Sequence, residues 1–313
     1  MKKFLIILCL FCFTISLLSC DDGVDRNVDL PKIELENEVK ILVPTGSTYI
    51  AVGGALASEN VSINIATGPK MLPTALANGS YDIIVAPLSV VPLLKSGNSP
   101  YKLSHILTLG NLYIVSRDNV KLDSIMDLVG EEVYAFGEAA IPGKLLKKVY
   151  SDNGLDTNNI KFDFSSSSDV YSAFAGKENK YKYVVMSEPD VCQLEIKENI
   201  KINKLDLSKV LGFDIAQAAI FVNPNSNNID IDKVLNLISS LVTYLNTYPE
   251  LYADSILKLD PFEEFNALGK EVIKESIPSS NIVFKEAKSN KELINKTLIS
   301  LSITGELSEE FYR

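Results

Sequence analysis

The chain has 313 residues, 46% of them hydrophobic, and a formal net charge of −10. This length and apolar content allow a large core and about two domains, and they exclude a globally disordered chain. An acidic chain without a basic stripe repels phosphates, so we expect no nucleic-acid partner.

The N-terminus has the pattern of an export signal. Two lysines precede an unbroken run of apolar or small residues from Phe4 to Ser19, as in the charged and apolar regions of a signal peptide. The run is shorter than the ~20 residues that span a bilayer, which argues against the alternative of an uncleaved membrane anchor. The LLSC at 17–20 resembles the bacterial lipobox, whose cysteine is acylated, for example with palmitate. We therefore predict a lipoprotein signal peptide at 1–19, lipidation of Cys20, a polar tether at 20–37 and an extracytoplasmic body that the lipid anchors to the membrane.

The remaining cysteines fit a lipoprotein. Cys9 and Cys12 leave with the signal peptide and Cys20 carries the lipid, so Cys192 has no partner for a disulfide. We expect Cys192 to be a small buried hydrophobe rather than a reactive thiol.

From Glu38 onward, predicted strands alternate with predicted helices. The strands are 39–44, 61–67, 81–87, 105–118 (in two pieces broken at Gly110-Asn111), 131–137, 160–165, 181–189, 200–207 and 215–224. The helices are 49–58, 71–78, 89–96 (capped by Ser89), 122–129, 141–155, 169–177, 190–199, 229–259, 262–276 and 290–302. This alternation predicts an α/β protein with parallel sheets, and its strand–turn–helix module occurs twice, around 39–96 and 131–198.

Small residues follow the predicted strands at six places, where open α/β sheets bind ligands beside helix N-termini. Glycine and serine let a ligand approach the backbone there, although the same residues also form ordinary turns. Because the six loops fall into two matched sets, we predict a binding cleft. The candidate ligand-binding residues in these loops are Thr45, Gly46, Ser47, Thr67, Gly68, Pro87, Leu88, Ser89, Gly137, Glu138, Ala139, Ser165, Ser166, Ser167 and Glu188.

The sequence lacks the motifs of common enzymes. His105 is the only histidine, which excludes a multi-histidine metal site, and its neighbours LSHILTL indicate a structural residue in a buried strand. There is no G-x-S-x-G elbow, Walker loop or G-x-G-x-x-G motif. Glu138 and Glu188 end separate strands and leave a carboxylate-based enzyme open as an alternative, although we favour ligand-contacting or rim carboxylates.

A family resemblance runs through nearly all of the chain after Cys20. It rests on the ordered segments KILVPTG, GPKMLPTALANGSYDIIVAPLS, YKLSHILTLGNLYIVSRD, FGEAAIPGKLLKKVYSDNGL, SEPDV, AAIFVNP, IPSSNIVF and ITGELSEEFY. Together they resemble the solute-binding lipoproteins of ABC importers, of the nitrate/sulfonate/bicarbonate type that is related to thiamine-pyrimidine-binding proteins.

The resemblance implies a periplasmic-binding-protein-like (type II) clamshell, in which two α/β lobes with mixed, mostly parallel sheets are joined by two crossing strands. Lobe I would contain residues 38–110 together with the return strand and C-terminal helices at 215–313, and lobe II would contain 111–214. Asn111 and Gln217 would lie near the hinge, and Tyr49 or Tyr113 would offer the ligand an aromatic face. A ligand that touches both lobes would drive closure, and the closed form would dock on an ABC permease with its cytoplasmic ATPase. No cofactor and no catalysis are implied.

Two alternatives stay open beside the importer: an enzyme on the same fold, pyrimidine-synthase-like or carboxylate-based, and a non-transport sensor or adhesin. The lone Cys192 counts against the synthase, because related pyrimidine synthases use a cysteine cluster. The cations in the candidate loops are Lys70 and Lys144, so a simple anion would be steered poorly. We therefore expect a neutral or zwitterionic small molecule, such as a heterocyclic vitamin precursor.

Overall fold

A computed structural model describes residues 29–67, 70–176, 180–259 and 261–313. The predicted signal peptide, the lipidation site Cys20 and the candidate Gly68 lie outside the described residues. The described chain forms two β-sheets flanked by helices, which confirms the predicted α/β class.

The strands have the following bounds: β1 Val39–Val43, β2 Val61–Ile65, β3 Ile83–Pro87, β4 Lys102–Leu109, β5 Leu112–Arg117, β6 Val133–Phe136, β7 Ile160–Phe164, β8 Tyr183–Ser187, β9 Ile202–Asp206, β10 Ala216–Val222 and β11 Ile282–Glu286. The helices are α1 Ser47–Gly53, α2 Met71–Asn78, α3 Val91–Lys95, α4 Ile141–Asp152, α5 Ser167–Ala175, α6 Asp190–Ile196, α7 Leu207–Leu211, α8 Ile231–Thr247, α9 Pro249–Ile256, α10 Glu264–Leu268, α11 Lys270–Ser276 and α12 Lys291–Ser300.

Each sheet combines parallel and antiparallel strands. The six-stranded sheet of lobe I has the order β11-β4-β10-β3-β1-β2, and the five-stranded sheet of lobe II has the order β7-β6-β8-β5-β9. In each sheet three strands pair in parallel, β2-β1-β3 and β7-β6-β8. The pairings of β4, β5 and β10 with other strands are all antiparallel in the described residues. The sheets are therefore more mixed than the mostly parallel arrangement that the sequence predicts.

The chain crosses between the two sheets at two places. It leaves β4 of the first sheet and enters β5 of the second through Gly110 and Asn111, where the sequence predicts a break. It returns from β9 to β10 through α7. The two crossings lie against each other, because a Cβ at Gly110 would overlap the hydroxyl of Ser208 in α7. Glycine at this position permits the close approach.

The central strands are buried because they lie between layers of helices. In β1, β3 and β10 nearly every residue is inaccessible to water, as their continuous apolar runs predict. The helices α8 and α9 contribute to the hydrophobic cluster around β1. This packing leaves the carboxyl ends of β1 and β3 as the edge of lobe I that faces lobe II.

The C-terminal region differs from its predicted elements. The helix predicted at 229–259 is divided into α8 and α9, because Pro249 lacks an amide hydrogen and begins a new helix. The helix predicted at 262–276 is divided at Gly269, whose φ is +79°. Strand β11 was not predicted; it pairs with β4, which is far away in the sequence.

Two shorter predictions also change. Ser89 does not cap a helix: it lies inside a 3-10 turn at 88–90, and neither this turn nor α3 has a side-chain cap. Residues 122–129 contain a 3-10 turn at 125–128 rather than an α-helix, and Asp127 and Ser124 form a capping box there.

Residues 29–37, the described part of the predicted tether, pack against lobe I. Leu30 and Leu35 are buried in the cluster around β1. The amides of Glu36 and Asn37 each donate to Asp230 Oδ2 over 2.9 Å. Lys233 pairs with Asp230 Oδ1 at 2.7 Å, and this contact and the two amides lower the pKa of Asp230 to about 2. A free tether therefore does not extend through these residues.

Candidate functional site

A cavity of about 430 Å³ lies between the two lobes. Lobe I contributes residues that follow β1 and end β3, together with part of α10. Lobe II contributes the first turns of α5 and α6. The lining residues are Pro44, Thr45, Gly46, Ser47, Thr48, Pro87, Thr108, Asn111, Ser166, Ser167, Ser168, Tyr171, Ser172, Ser187, Glu188, Pro189, Asp190, Gln193, Gln217, Ala218, Glu264, Ala267 and Leu268. The cleft thus lies at the carboxyl ends of parallel strands in both lobes, as open α/β sheets predict.

Side chains from both crossings form one hydrogen-bonded group at the back of the cleft. Gln217 Nε2 donates to Asn111 Oδ1 over 2.6 Å, and Asn111 Nδ2 donates to Ser47 Oγ over 3.0 Å. Asn111 is only 3% exposed, so these bonds replace water for a buried amide. The predicted hinge residues Asn111 and Gln217 thus lie where the lobes join and are in direct contact.

Glu188 is a contact between the lobes rather than a rim carboxylate. Its side chain is buried, with Oε1 accepting from Ser279 Oγ over 2.8 Å and Oε2 accepting from the amide of Cys192 over 3.1 Å. Its carbonyl accepts from Ser47 Oγ over 3.0 Å. Burial raises the pKa of Glu188, and the Ser279 hydroxyl opposes this rise. The carboxylate is therefore held by Ser279 of lobe I and by the amide of Cys192 in α6.

Asp190 is the buried carboxylate of the cleft wall in lobe II. It begins α6 and is 6% exposed. Gln193 Nε2 donates to Oδ1 over 3.2 Å, and Ser168 Oγ lies 3.4 and 3.5 Å from the two oxygens. Burial raises its pKa to about 6, against the hydroxyls of Ser167 and Ser168. Asp190 therefore ionises near neutral pH with neutral groups as its hydrogen-bond donors.

The first turn of α5 completes this wall. Ser166 caps the helix by accepting from the amide of Asp169 over 3.1 Å. Ser167 Oγ accepts from the amide of Ser187 over 3.0 Å and fixes the end of β8 beside α5. Ser172 lies one turn further along and is exposed on the cleft side. The cleft wall of lobe II is therefore rich in hydroxyl groups.

The cleft brings together half of the residues predicted from the sequence. The predicted residues among its lining are Thr45, Gly46, Ser47, Pro87, Asn111, Ser166, Ser167, Glu188 and Gln217. They come from both lobes, so the prediction that small-residue loops of two matched sets face each other agrees with this geometry. Their role in ligand binding stays a prediction.

The other described candidates lie outside the cleft lining, namely Tyr49, Thr67, Leu88, Ser89, Gly137, Glu138, Ala139 and Ser165. Tyr49 is a core residue, with its ring stacked 4.2 Å from that of Phe265. Leu88 is fully buried in the core, and Glu138 is exposed and paired with Lys147 at 2.7 Å. Tyr113 is also absent from the cleft lining, and its hydroxyl donates to the Ser279 carbonyl over 3.1 Å.

Lining residues that sequence reasoning missed include three sets. Tyr171, Ser172 and Gln193 lie one helical turn beyond the predicted loops, so extending each candidate loop by a turn would have found them. Asp190 was interpreted only as a helix start. Glu264, Ala267 and Leu268 come from α10, and no local pattern connects this short helix with the cleft.

Two predictions about single residues are consistent with their surroundings. Cys192 is buried and unpaired, and burial raises the pKa of its thiol to about 12, as expected for a small hydrophobe. His105 lies in β4 with its ring 4.1 Å from that of Phe284, and burial lowers its pKa. Across the described ranges, no three His, Cys, Asp or Glu side chains form a group that could hold a metal ion. No helix in the described part is long and apolar enough to cross a membrane.

The chain is similar to solved structures, although its sequence matches neither a family model nor a curated protein. An ABC transporter structure from Parabacteroides distasonis has a TM-score of 0.71 and 18% identity, over 89% of this chain and 99% of that chain. The periplasmic aliphatic sulphonate binding protein SsuA from Escherichia coli has a TM-score of 0.66 and 16% identity, over 85% and 86%. The alkanesulfonate-binding protein SsuA from Xanthomonas axonopodis pv. citri, bound to MOPS, has a TM-score of 0.63 and 12% identity, over 85% and 93%.

At these identities the likeness concerns the fold. These three solved structures match 85–89% of this chain, so the likeness extends over both sheets rather than one lobe. The chain therefore has the two-lobed fold of periplasmic binding proteins, which confirms the clamshell architecture that the family resemblance implied.

Proposed function

We propose that the chain is the extracytoplasmic solute-binding lipoprotein of an ABC importer, and that it captures a small molecule between its lobes. The observation that carries the proposal is the cleft of about 430 Å³, whose hydroxyl, amide and carboxylate groups come from both lobes. A volume of this order suits a small molecule. Similarity of fold to ABC-transporter binding proteins supports the same function.

Capture would work by a shift between open and closed lobes. Two short crossings join the sheets, so the lobes can rotate about the segment that contains Asn111 and Gln217. A ligand that contacts Thr45 on one wall and Ser167 on the other gains both sets of contacts only in the closed form. The bond from Ser47 to the Glu188 carbonyl and that from Ser279 to its carboxylate would then hold the lobes together.

Anchoring and delivery complete the proposal. Acylation of Cys20 would hold the protein at the membrane beside its permease and ATPase. Labelled palmitate should enter the wild type and not the Cys20→Ala variant; equal labelling of both would contradict lipidation at this residue.

Binding is a better account of the cleft than catalysis. The alternative of a carboxylate-based enzyme rests on Glu138 and Glu188. Glu138 lies outside the cleft lining and is paired with Lys147. Glu188 has partners on both of its oxygens. Neither residue is therefore placed for acid–base work on a bound molecule.

A thermal-shift screen of a metabolite library tests the proposed function, because a ligand that binds only the folded state raises Tm. Small-angle scattering of each stabilising pair should then give a smaller radius of gyration than the free protein. The absence of any stabilising metabolite would contradict solute binding. An unchanged radius with a bound ligand would contradict closure.

A further inference from the structure

The charges of the cleft are all negative. Glu188, Asp190 and Glu264 line it, and no lysine or arginine occurs among its described lining residues. Lys197 donates to the Ala267 carbonyl but is itself outside the lining. The whole chain has a formal net charge of −10, which attracts cations and repels anions over long distances.

We infer that the ligand is a small organic cation that donates N–H hydrogen bonds, such as a protonated amine, amidine or guanidine, and that it binds against Asp190. This inference rests on the proposed solute-binding function and names the class of its solute.

Asp190 has acceptor capacity left for such a ligand. The neutral side chains of Gln193 and Ser168 lie 3.2 to 3.5 Å from its oxygens, and the hydroxyl of Ser167 is a third neutral partner. Hydrogen bonds to an ionised carboxylate are shorter, about 2.5–2.9 Å, when they are strong. A cation that donates to Asp190 would therefore add a charged partner to the neutral ones that the described residues supply.

The two carboxylates Asp190 and Glu264 connect the charge of the ligand to closure. Asp190 lies on lobe II and Glu264 on lobe I, and the negative charge of Glu264 contributes to the raised pKa of Asp190. Like charges on opposite walls oppose closure of the empty cleft. A cation between the two carboxylates is attracted by both of them, so it would favour the closed form.

The residues that line the cleft disfavour two other classes of ligand. A quaternary ammonium ion is held mainly by aromatic faces, and Tyr171 is the one aromatic side chain among the described lining residues. A sulfonate such as those named for the related structures would meet carboxylates without a compensating lysine or arginine in that lining. Hydroxyls of Thr45, Ser167 and Ser172 can accept further N–H bonds from an amine.

Titration calorimetry with defined probes tests the inference. The probes are agmatine, putrescine, arginine and benzamidine as N–H cations, choline as a quaternary ion, methanesulfonate and MOPS as anions, and myo-inositol as a neutral compound. We expect the protein to bind compounds among the N–H cations, and to bind neither choline nor the two anions. Asp190→Asn should weaken that binding about 10- to 100-fold, as for a lost hydrogen bond to a charged group.

Glu138→Gln is the matched control, because it removes a carboxylate that lies outside the cleft. Its affinity should stay within about twofold of the wild type. Binding of an anion, or equal affinity of Asp190→Asn and the wild type for the cation, would overturn the inference and leave solute binding intact. Binding of none of these probes at millimolar concentration would also overturn it, whereas the metabolite screen decides separately whether the protein binds any solute.

Discussion

Asp190 is a carboxylate that folding removes from water, and no lysine or arginine in the described part of the chain pairs with it. Its pKa is about 6 in the folded protein against an ordinary 3.8, so the folded state holds the proton more tightly than the unfolded state does. The difference corresponds to about 3 kcal/mol at a pH well above 6. A group that destabilises the fold in this way and lines a cleft is a candidate for function.

We predict that Asp190→Asn stabilises the ligand-free protein at about pH 8, by up to about 3 kcal/mol in the free energy of unfolding. Because the folded state binds more protons than the unfolded state between about pH 4 and 6, the stability of the wild type falls as pH rises through this range. The advantage of the variant should therefore vanish near pH 4. Urea unfolding at both pH values measures it.

Glu138→Gln serves again as the control, since Glu138 is exposed. Its stability should follow that of the wild type at both pH values. A variant Asp190→Asn that is less stable than the wild type at about pH 8 would contradict the buried and unpaired state of this carboxylate.

At the level of single residues, the sequence predicted environments better than contacts. Small residues that follow β1 and β7 line the cleft between the lobes, at the carboxyl ends of strands where α/β sheets bind ligands, and their contact with a ligand stays a prediction. Tyr49 was given an aromatic ligand face, yet it packs on Phe265, which is remote in the sequence. Glu138 was given the same role as Glu188, and only three-dimensional packing separates the exposed residue from the buried one.

At the level of elements, α10 shows how a short helix becomes part of the cleft. It has five residues, too few to be stable alone. Phe265 holds it by full burial against Tyr49, while Glu264, Ala267 and Leu268 of the same helix line the cleft. The stacking of Phe265 on Tyr49 therefore helps to fix the position of this wall.

We predict that Phe265→Ala lowers the free energy of unfolding by about 3–5 kcal/mol, because it leaves a cavity in the core. The ligand affinity should fall as well, since α10 loses its anchor. Urea unfolding and calorimetry measure the two effects. Phe262→Ala is the control: its ring is 41% exposed, so the loss of stability should be clearly smaller. Equal effects of the two variants would contradict the anchoring role.

The elements that the sequence predicted well are those with local signals. β1 and β3 have continuous apolar runs and are buried on both faces. β11 lacked such a signal because its place is set by pairing with β4, a contact between distant parts of the chain. Residues 29–37 are mostly polar, yet Leu30 and Leu35 are buried in the core of lobe I and Ile33 packs against it.

At the level of the whole molecule, the two crossings make the cleft a joint property of both lobes. Each lobe contributes a wall, and Asn111, Gln217 and Ser47 connect the walls at the back. The alternating elements of the sequence predicted two α/β units, and the family resemblance was needed to order them as a clamshell. We inferred the class of the ligand from the charge of the lining, which comes from Glu188 directly after β8, Asp190 at the start of α6 and Glu264 of α10.

A tryptophan placed in the cleft tests directly whether a solute binds between the lobes. Ser172 and Ser240 are both exposed helical serines whose hydroxyls donate to the carbonyl four residues earlier, over 2.9 and 3.0 Å. Ser172 lines the cleft, whereas Ser240 lies on α8 outside its lining. The two substitutions to tryptophan therefore make the same local change at different places.

Calorimetric titration with the compound that raises Tm most in the screen is the deciding measurement. We predict one binding site per chain in the wild type and in Ser240→Trp, and no measurable binding in Ser172→Trp. Wild-type affinity in the Ser172→Trp variant would contradict binding between the lobes.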